Sequence, residues 1–199
     1  MQVYLFRHGQ TAGNAENKYL GATDEPLSEL GIETAQKAGC DPAVTEVLVS
    51  PLKRARMTAA ILFPNARQRV CTGFREMDFG DFEGRSYQDM ENDPDYRYWV
   101  EATECMGPCP HGDATVVFQH RVSAAFLREV KKAQAAGQER LYILAHGGVI
   151  MSVLHRFAQP PAPFYSWPLD NCQGYRCEVV LGPEGLQLKD VCHLETAAP

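Results

Sequence analysis

Two continuous apolar runs, VYLF at 3–6 and LYILA at 141–145, end in Arg7-His8-Gly9 and in His146-Gly147-Gly148. Short apolar runs bounded by such polar and glycine punctuation read as strands buried on both faces. A sheet of such strands must be covered by helices on both sides. The sequence between the runs supplies those helices. Ser28 can cap a helix to about Lys37 with Gly39 as its stop, and residues 44–49 form the next strand. Ser50-Pro51 then opens a helix that carries Arg54 in its first turn. A further strand over 68–71 leads into Phe74-Arg75-Glu76 and a glycine-rich acidic stretch ending at Gly84. Residues 85–110 are less regular and suit short helices, and Asp113 caps a long amphipathic helix that stops near Gly137. After His146 a helix covers 149–157, and a proline-rich loop follows over 159–168. Strands at 174–181 and 186–191, on either side of Gly182-Pro183-Glu184-Gly185, make a hairpin at the sheet edge.

This alternation predicts an α/β fold: a three-layer sandwich with a mostly parallel central sheet, helices on both faces and a small helical insertion at about 85–112. At 199 residues the expectation is a single domain. Open sheets of this kind bind ligands at the carboxyl ends of their strands. His8, Arg54, Glu76 and His146 all follow predicted strands, so one rim can gather them.

Composition narrows the partners. The net charge of −6 argues against a nucleic-acid surface, which needs clustered Lys and Arg. No signal peptide or membrane span is expected, since Met1 runs directly into a strand. Seven cysteines without a secreted-domain spacing fit free thiols in a reducing cytoplasm. Cys105, Cys109 and His111 lack a second ligand pair, so no metal is expected. Tyr96, Tyr98 and Trp99 form an aromatic cluster suited to core packing or to stacking on a substrate base.

The residues at the rim suit phosphoryl transfer, in which positioning and fixed positive charge do most of the catalysis. Arg7 and Arg54 can clamp phosphate oxygens with paired, charge-assisted hydrogen bonds. A helix beginning at Ser50 would add oriented N–H groups. His8, with Gly9 allowing close backbone approach, is placed as a nucleophile. Glu76 can protonate a leaving alkoxide, and Glu83 beside the same turn is the alternative carboxyl. His146, if protonated, would add positive charge.

Leu5-Phe6-Arg7-His8-Gly9-Gln10-Thr11 followed by Asn14 resembles the signature of the histidine phosphatase superfamily, phosphoglycerate mutase-like branch. Blocks at 21–31 (GATDEPLSELG), 50–58 (SPLKRARMT), 74–84 (FREMDFGDFEG) and 144–149 (LAHGGV) resemble family blocks in the same order. The resemblance implies His8 as nucleophile, Glu76 rather than Glu83 as proton donor, and Arg7, Arg54 and His146 as the phosphate pocket. Gly9, Gln10, Asn14, Gly21 and Gly147 complete the implied contacts to substrate or phosphate, with no cofactor. Residues 80–84, 110–113 and 170–174 look most like the α-ribazole phosphatase group.

The expected activity is hydrolysis of a small phosphorylated metabolite, α-ribazole 5′-phosphate being the first specific candidate. A homodimer stays open. Cofactor-dependent mutases of the family place a lysine and an arginine pair where this chain has Tyr87, Val100 and Glu101, which favours hydrolysis; Arg85 or Arg97 could replace those cations. Leu20 likewise stands where a polar residue is usual. The alternatives are a phosphoglycerate mutase and a non-catalytic module that binds phospho-ligands.

Overall fold

The structure, a computed structural model, describes residues 1–101, 107–183 and 185–195. Six strands, β1 (Gln2–Arg7), β2 (Glu46–Val49), β3 (Arg67–Val70), β4 (Arg140–Ala145), β5 (Gly174–Gly182) and β6 (Gly185–Leu194), form one sheet in the order β3-β2-β4-β1-β5-β6. The helices are α1 (Ala12–Ala15), α2 (Glu29–Lys37), α3 (Lys53–Leu62), α4 (Pro94–Glu101), α5 (Thr115–Ala135) and α6 (Gly147–Phe157).

Alternation along the strands sorts side chains into two cores. Val3, Leu5, Leu48, Leu141 and Ile143 face one way and pack with Phe118, Val122 and Phe126 of α5 and Val149, Ile150 and Val153 of α6. Phe6, Val47, Val49 and Leu144 face the other way and pack with Ala55, Ala59 and Leu62 of α3. Helices therefore cover both faces, as the unbroken apolar runs require.

The sheet is mixed, so the expectation of a mostly parallel one holds for its first four strands only. β1, β2, β3 and β4 are parallel, but β5 pairs antiparallel with β1 and β6 antiparallel with β5. The 174–191 hairpin supplies both antiparallel strands: the short turn from Gly182 to Gly185 makes β6 antiparallel to β5, and β5 itself runs against β1.

Two helix starts also differ from expectation. α3 begins at Lys53 after an N-cap at Leu52, whose apolar side chain cannot cap; Ser50, two residues earlier, accepts from Leu52 N at 3.4 Å and its hydroxyl lies 2.7 Å from His146 Nε2. α5 begins at Thr115 with Ala114 at the N-cap, because the Asp113 carboxylate accepts from Asp78 N and Arg121 Nη2. Ser28 does cap α2, accepting from Gly31 N at 3.0 Å. The stretch after Arg85 contains α4, whose Trp99 is buried against Tyr19, Phe79 and Phe82, while Tyr98 is exposed. Cys105 lies outside the described residues; Cys109 is buried, and His111 Nδ1 bonds Asp81.

Candidate active site

Strand register brings the two histidines together. β1 and β4 run in step, Arg7 opposite Ala145, and His8 N donates to Ala145 O at 3.0 Å. His8 and His146 thus leave adjacent strands at the same level, with ring centroids 5.0 Å apart. Both are buried.

His8 Nδ1 lies 2.7 Å from Gly9 O. A carbonyl can only accept, so Nδ1 carries the hydrogen and Nε2 keeps its lone pair. Burial, then the charges of Arg54 and Arg7, push the His8 pKa well below the ordinary histidine value, keeping the ring neutral. Asn171 Nδ2 and Cys172 N donate to His8 O, and Thr58 Oγ1 accepts from Gly9 N at 2.9 Å. The nucleophile candidate is therefore held from three elements.

His146 is neutral too, which answers the conditional expectation of a positive charge. Burial, His8 and both arginines lower its pKa well below the ordinary value. If the Ser50 hydroxyl donates to Nε2, Nδ1 bears the hydrogen; Nδ1 is buried with no hydrogen-bond partner.

Arg7 donates from Nη1 to Leu169 O at 2.5 Å, and its Nε has no partner. Arg54, wholly buried, gives Nη1 to Thr23 O and Nη2 to Leu20 O and Gly21 O, leaving Nε without a partner. Those carbonyls are set by Glu83. Its carboxylate accepts from Gly21 N, Ala22 N, Thr23 N, Thr23 Oγ1 and Phe79 N. Glu83 is thus committed to shaping the loop that holds Arg54, and Gly21 serves that loop rather than the cavity wall.

Glu76 is buried, its Oε1 accepting from Met77 N at 2.9 Å and its Oε2 from Gly148 N at 3.0 Å. Burial raises its pKa, and the two N–H groups with Arg54 and Arg7 only partly oppose that. Protonation is correspondingly easier than for an ordinary carboxylate. Arg121 of α5 holds the Glu76 segment from behind, donating to the carbonyls of Gly73, Arg75 and Glu76 and to Asp113.

A cavity of about 410 Å³ opens over these groups. Arg7, His8, Asn14, Glu76 and Gly147 line it, joined by Lys18, Tyr19, Leu20 and, from the proline-rich loop, Tyr165, Trp167, Pro168 and Leu169. Arg54 and His146 stand behind the lining, and Gly9, Gln10 and Gly21 lie outside it. Gln10 O accepts from Ser28 N and Oγ, which ties α2 to the end of β1. Lys53 N at the start of α3 is taken by Asp24 at 2.6 Å. Gly147 and Gly148, the start of α6, line the cavity, with Gly148 N given to Glu76. Neither Arg85, paired with Asp93, nor Arg97 lines it.

Sequence reasoning missed Lys18, Glu83's loop-shaping bonds, Arg121 and the 165–169 wall. The composition of the proline-rich loop marks it only as a loop, and long-range side-chain bonds leave no local periodic signal.

The fold gathers two histidines, two arginines and a buried carboxyl around one cavity, an arrangement suited to phosphoryl transfer. Residues 3–190 match the family described as histidine phosphatase superfamily (branch 1), so the chain belongs to that family and is a histidine-type phosphatase. Adenosylcobalamin/alpha-ribazole phosphatase of Salmonella typhimurium is 30% identical over 197 residues, covering 91% of this chain and 96% of that protein. A 2,3-bisphosphoglycerate-dependent phosphoglycerate mutase of Sinorhizobium fredii is 28% identical over 165 residues, covering 76% of this chain and 77% of that protein. The crystal structure of the alpha-ribazole phosphatase from Shigella flexneri superposes with a TM-score of 0.80 at 25% identity, covering 100% of this chain and 98% of that one.

Proposed function

We propose that the chain hydrolyses small phosphomonoesters by way of a phosphoryl group carried on His8 Nε2. The Nε2 lone pair attacks phosphorus, the bond from phosphorus to the alcohol oxygen breaks, and Glu76 protonates that oxygen. The resulting carboxylate then takes a proton from water, whose oxygen displaces Nε2 and releases inorganic phosphate. Arg7, Arg54 and His146 hold the equatorial oxygens, with Asn14 and Gly147 N as further donors.

The observation that carries this reading is that three of the five buried side-chain nitrogens without partners among the described residues, Arg7 Nε, Arg54 Nε and His146 Nδ1, belong to the proposed phosphate pocket; the other two are the indole nitrogens of Trp99 and Trp167. An unmet buried donor costs about 1–3 kcal/mol, and a phosphoryl group with three equatorial oxygens can answer several at once. The fixed charge of the arginines and the easily protonated Glu76 match the two demands of the reaction.

α-Ribazole 5′-phosphate is the substrate we infer first, from the phosphatase relatives that carry that name. Residues 85–112 shape specificity, since Trp99 of α4 packs on Tyr19 of the cavity wall. Hydrolysis is favoured over mutase chemistry, because Lys18 is the one cation besides Arg7 among the described lining residues, and it is paired with Glu16. Six cysteines among the described residues are free thiols, as suits a reducing cytoplasm.

The test is release of inorganic phosphate from an aryl phosphate and from α-ribazole 5′-phosphate by the native chain and by His8→Ala. Turnover by the native chain and its loss in the variant are expected; full activity in His8→Ala overturns the assignment. Incubation with 3-phosphoglycerate should give free phosphate at most. Accumulation of 2-phosphoglycerate would instead identify a mutase.

A further inference from the structure

Beside the main cavity lies a smaller chamber of about 150 Å³. Tyr19, Glu76, Phe79, Gly148, Met151 and Tyr165 belong to the walls of both. The rest of the chamber is almost wholly apolar, built from residues such as Trp99, Phe118 and Phe164, and Glu76 is the one charged group among its described lining residues. Both Glu76 oxygens are already engaged by backbone N–H groups. A space of about this volume is large enough for a single benzene-sized ring.

We propose that this chamber receives an apolar ring on the alcohol side of the phosphoester, so that the preferred substrates carry an aromatic ring a short linker away from the ester oxygen. The inference rests on the reading of Glu76 as the group that protonates that oxygen. The carboxyl then marks where the leaving alcohol sits, and the same carboxyl forms part of the chamber wall. A ring entering the chamber gains apolar contact. A carboxylate on the alcohol would meet Glu76 and no cation among the described lining residues, which disfavours phosphoglycerate-like leaving groups in the chamber.

The experiment compares kcat/KM for 2-phenylethyl phosphate and propyl phosphate, whose leaving alcohols are similarly basic. The native chain should prefer the ring-bearing ester by about tenfold or more, the discrimination an apolar pocket gives. Thr115→Leu narrows the chamber at the first residue of α5, and Tyr165→Ala removes a shared wall at a side chain 60% exposed, where truncation leaves the core intact. Each should reduce the preference at least about threefold. If Thr115→Leu does not fold, Tyr165→Ala carries the comparison alone. Equal rates for the two esters in the native chain, or an unchanged preference in the folded variants, would overturn the chamber while leaving the His8 reading standing. Failure to hydrolyse either ester or any aryl phosphate would instead remove the underlying reading.

Discussion

His8 and Glu76 are displaced from their ordinary pKa values in opposite directions, and burial is the first cause of both shifts. Burial favours the neutral form of each, lowering the histidine's affinity for a proton and raising the carboxyl's. The first step needs both forms together. For an alkyl phosphate, kcat/KM should therefore fall on the acid side only below the ordinary histidine value of 6.5, as His8 gains a proton. On the alkaline side it should fall above the ordinary carboxyl value of 4.5, as Glu76 loses one. The substrate's own ionisation near pH ~6 overlaps this range, so the informative comparison is with Glu76→Gln. That variant should lose the alkaline limb that belongs to Glu76 and slow alkyl phosphates by about 10²–10⁴-fold. Aryl phosphates with good leaving groups should slow much less; equal slowing of both would remove Glu76 from the acid role.

At the scale of elements, the site depends on backbone that only certain residues permit. A Cβ on Gly148 would sit 2.5 Å from Glu76 Oε1, so Gly148→Ala must displace the carboxyl or the start of α6. A drop in kcat of about tenfold or more is expected with the fold retained by circular dichroism. Native kcat in Gly148→Ala would show that this packing does not matter. Glu83→Gln tests the loop behind Arg54. With its charge gone, the bonds to Gly21, Ala22 and Thr23 weaken, and inorganic phosphate should inhibit about tenfold less well; an unchanged inhibition constant would detach Glu83 from Arg54.

The elements also show how far local sequence reaches. The apolar runs at 3–6 and 141–145 report strands because every residue there is buried or packed in the sheet interior, and the two histidines follow from their ends. Ser50 and Asp113 look like helix caps locally, yet their side chains answer His146 and Arg121 from distant segments. A short hydroxyl or carboxylate can cap or bridge equally well, and tertiary placement decides between them. The sheet's mixed character was latent in the hairpin, whose second strand adds a second antiparallel pair at the edge.

For the whole molecule, the groups that build the site also set its response to acid. His8 and His146 have folded pKa values below the ordinary 6.5, so the unfolded chain binds more protons there and stability falls as pH drops below that value. Glu76 acts oppositely, losing stability as pH rises from 4.5 through its raised pKa, but it is one group against two. Burial also pushes Glu129 up, but hydrogen bonds from Arg69, Arg128 and Lys132 outweigh it and bring that carboxyl to about 2. Its contribution is present above 4.5 and is lost as pH falls toward about 2. The melting temperature should therefore decline between pH ~7 and pH ~5, and added phosphate should raise it at neutral pH. Constant stability over that range would contradict the burial of neutral imidazoles. Glu129→Gln should cost about 1–2 kcal/mol at neutral pH, since its cations are partly exposed.

The proposal that His8 Nε2 carries the phosphoryl group is open to direct detection of the phosphohistidine. Rapid acid-free quenching of the native chain during turnover of an aryl phosphate, followed by peptide mass mapping, should find one phosphoryl group on His8 and none on His146. Turnover with an unmodified His8 at every quench time, or a phosphoryl group on any other residue, would contradict it.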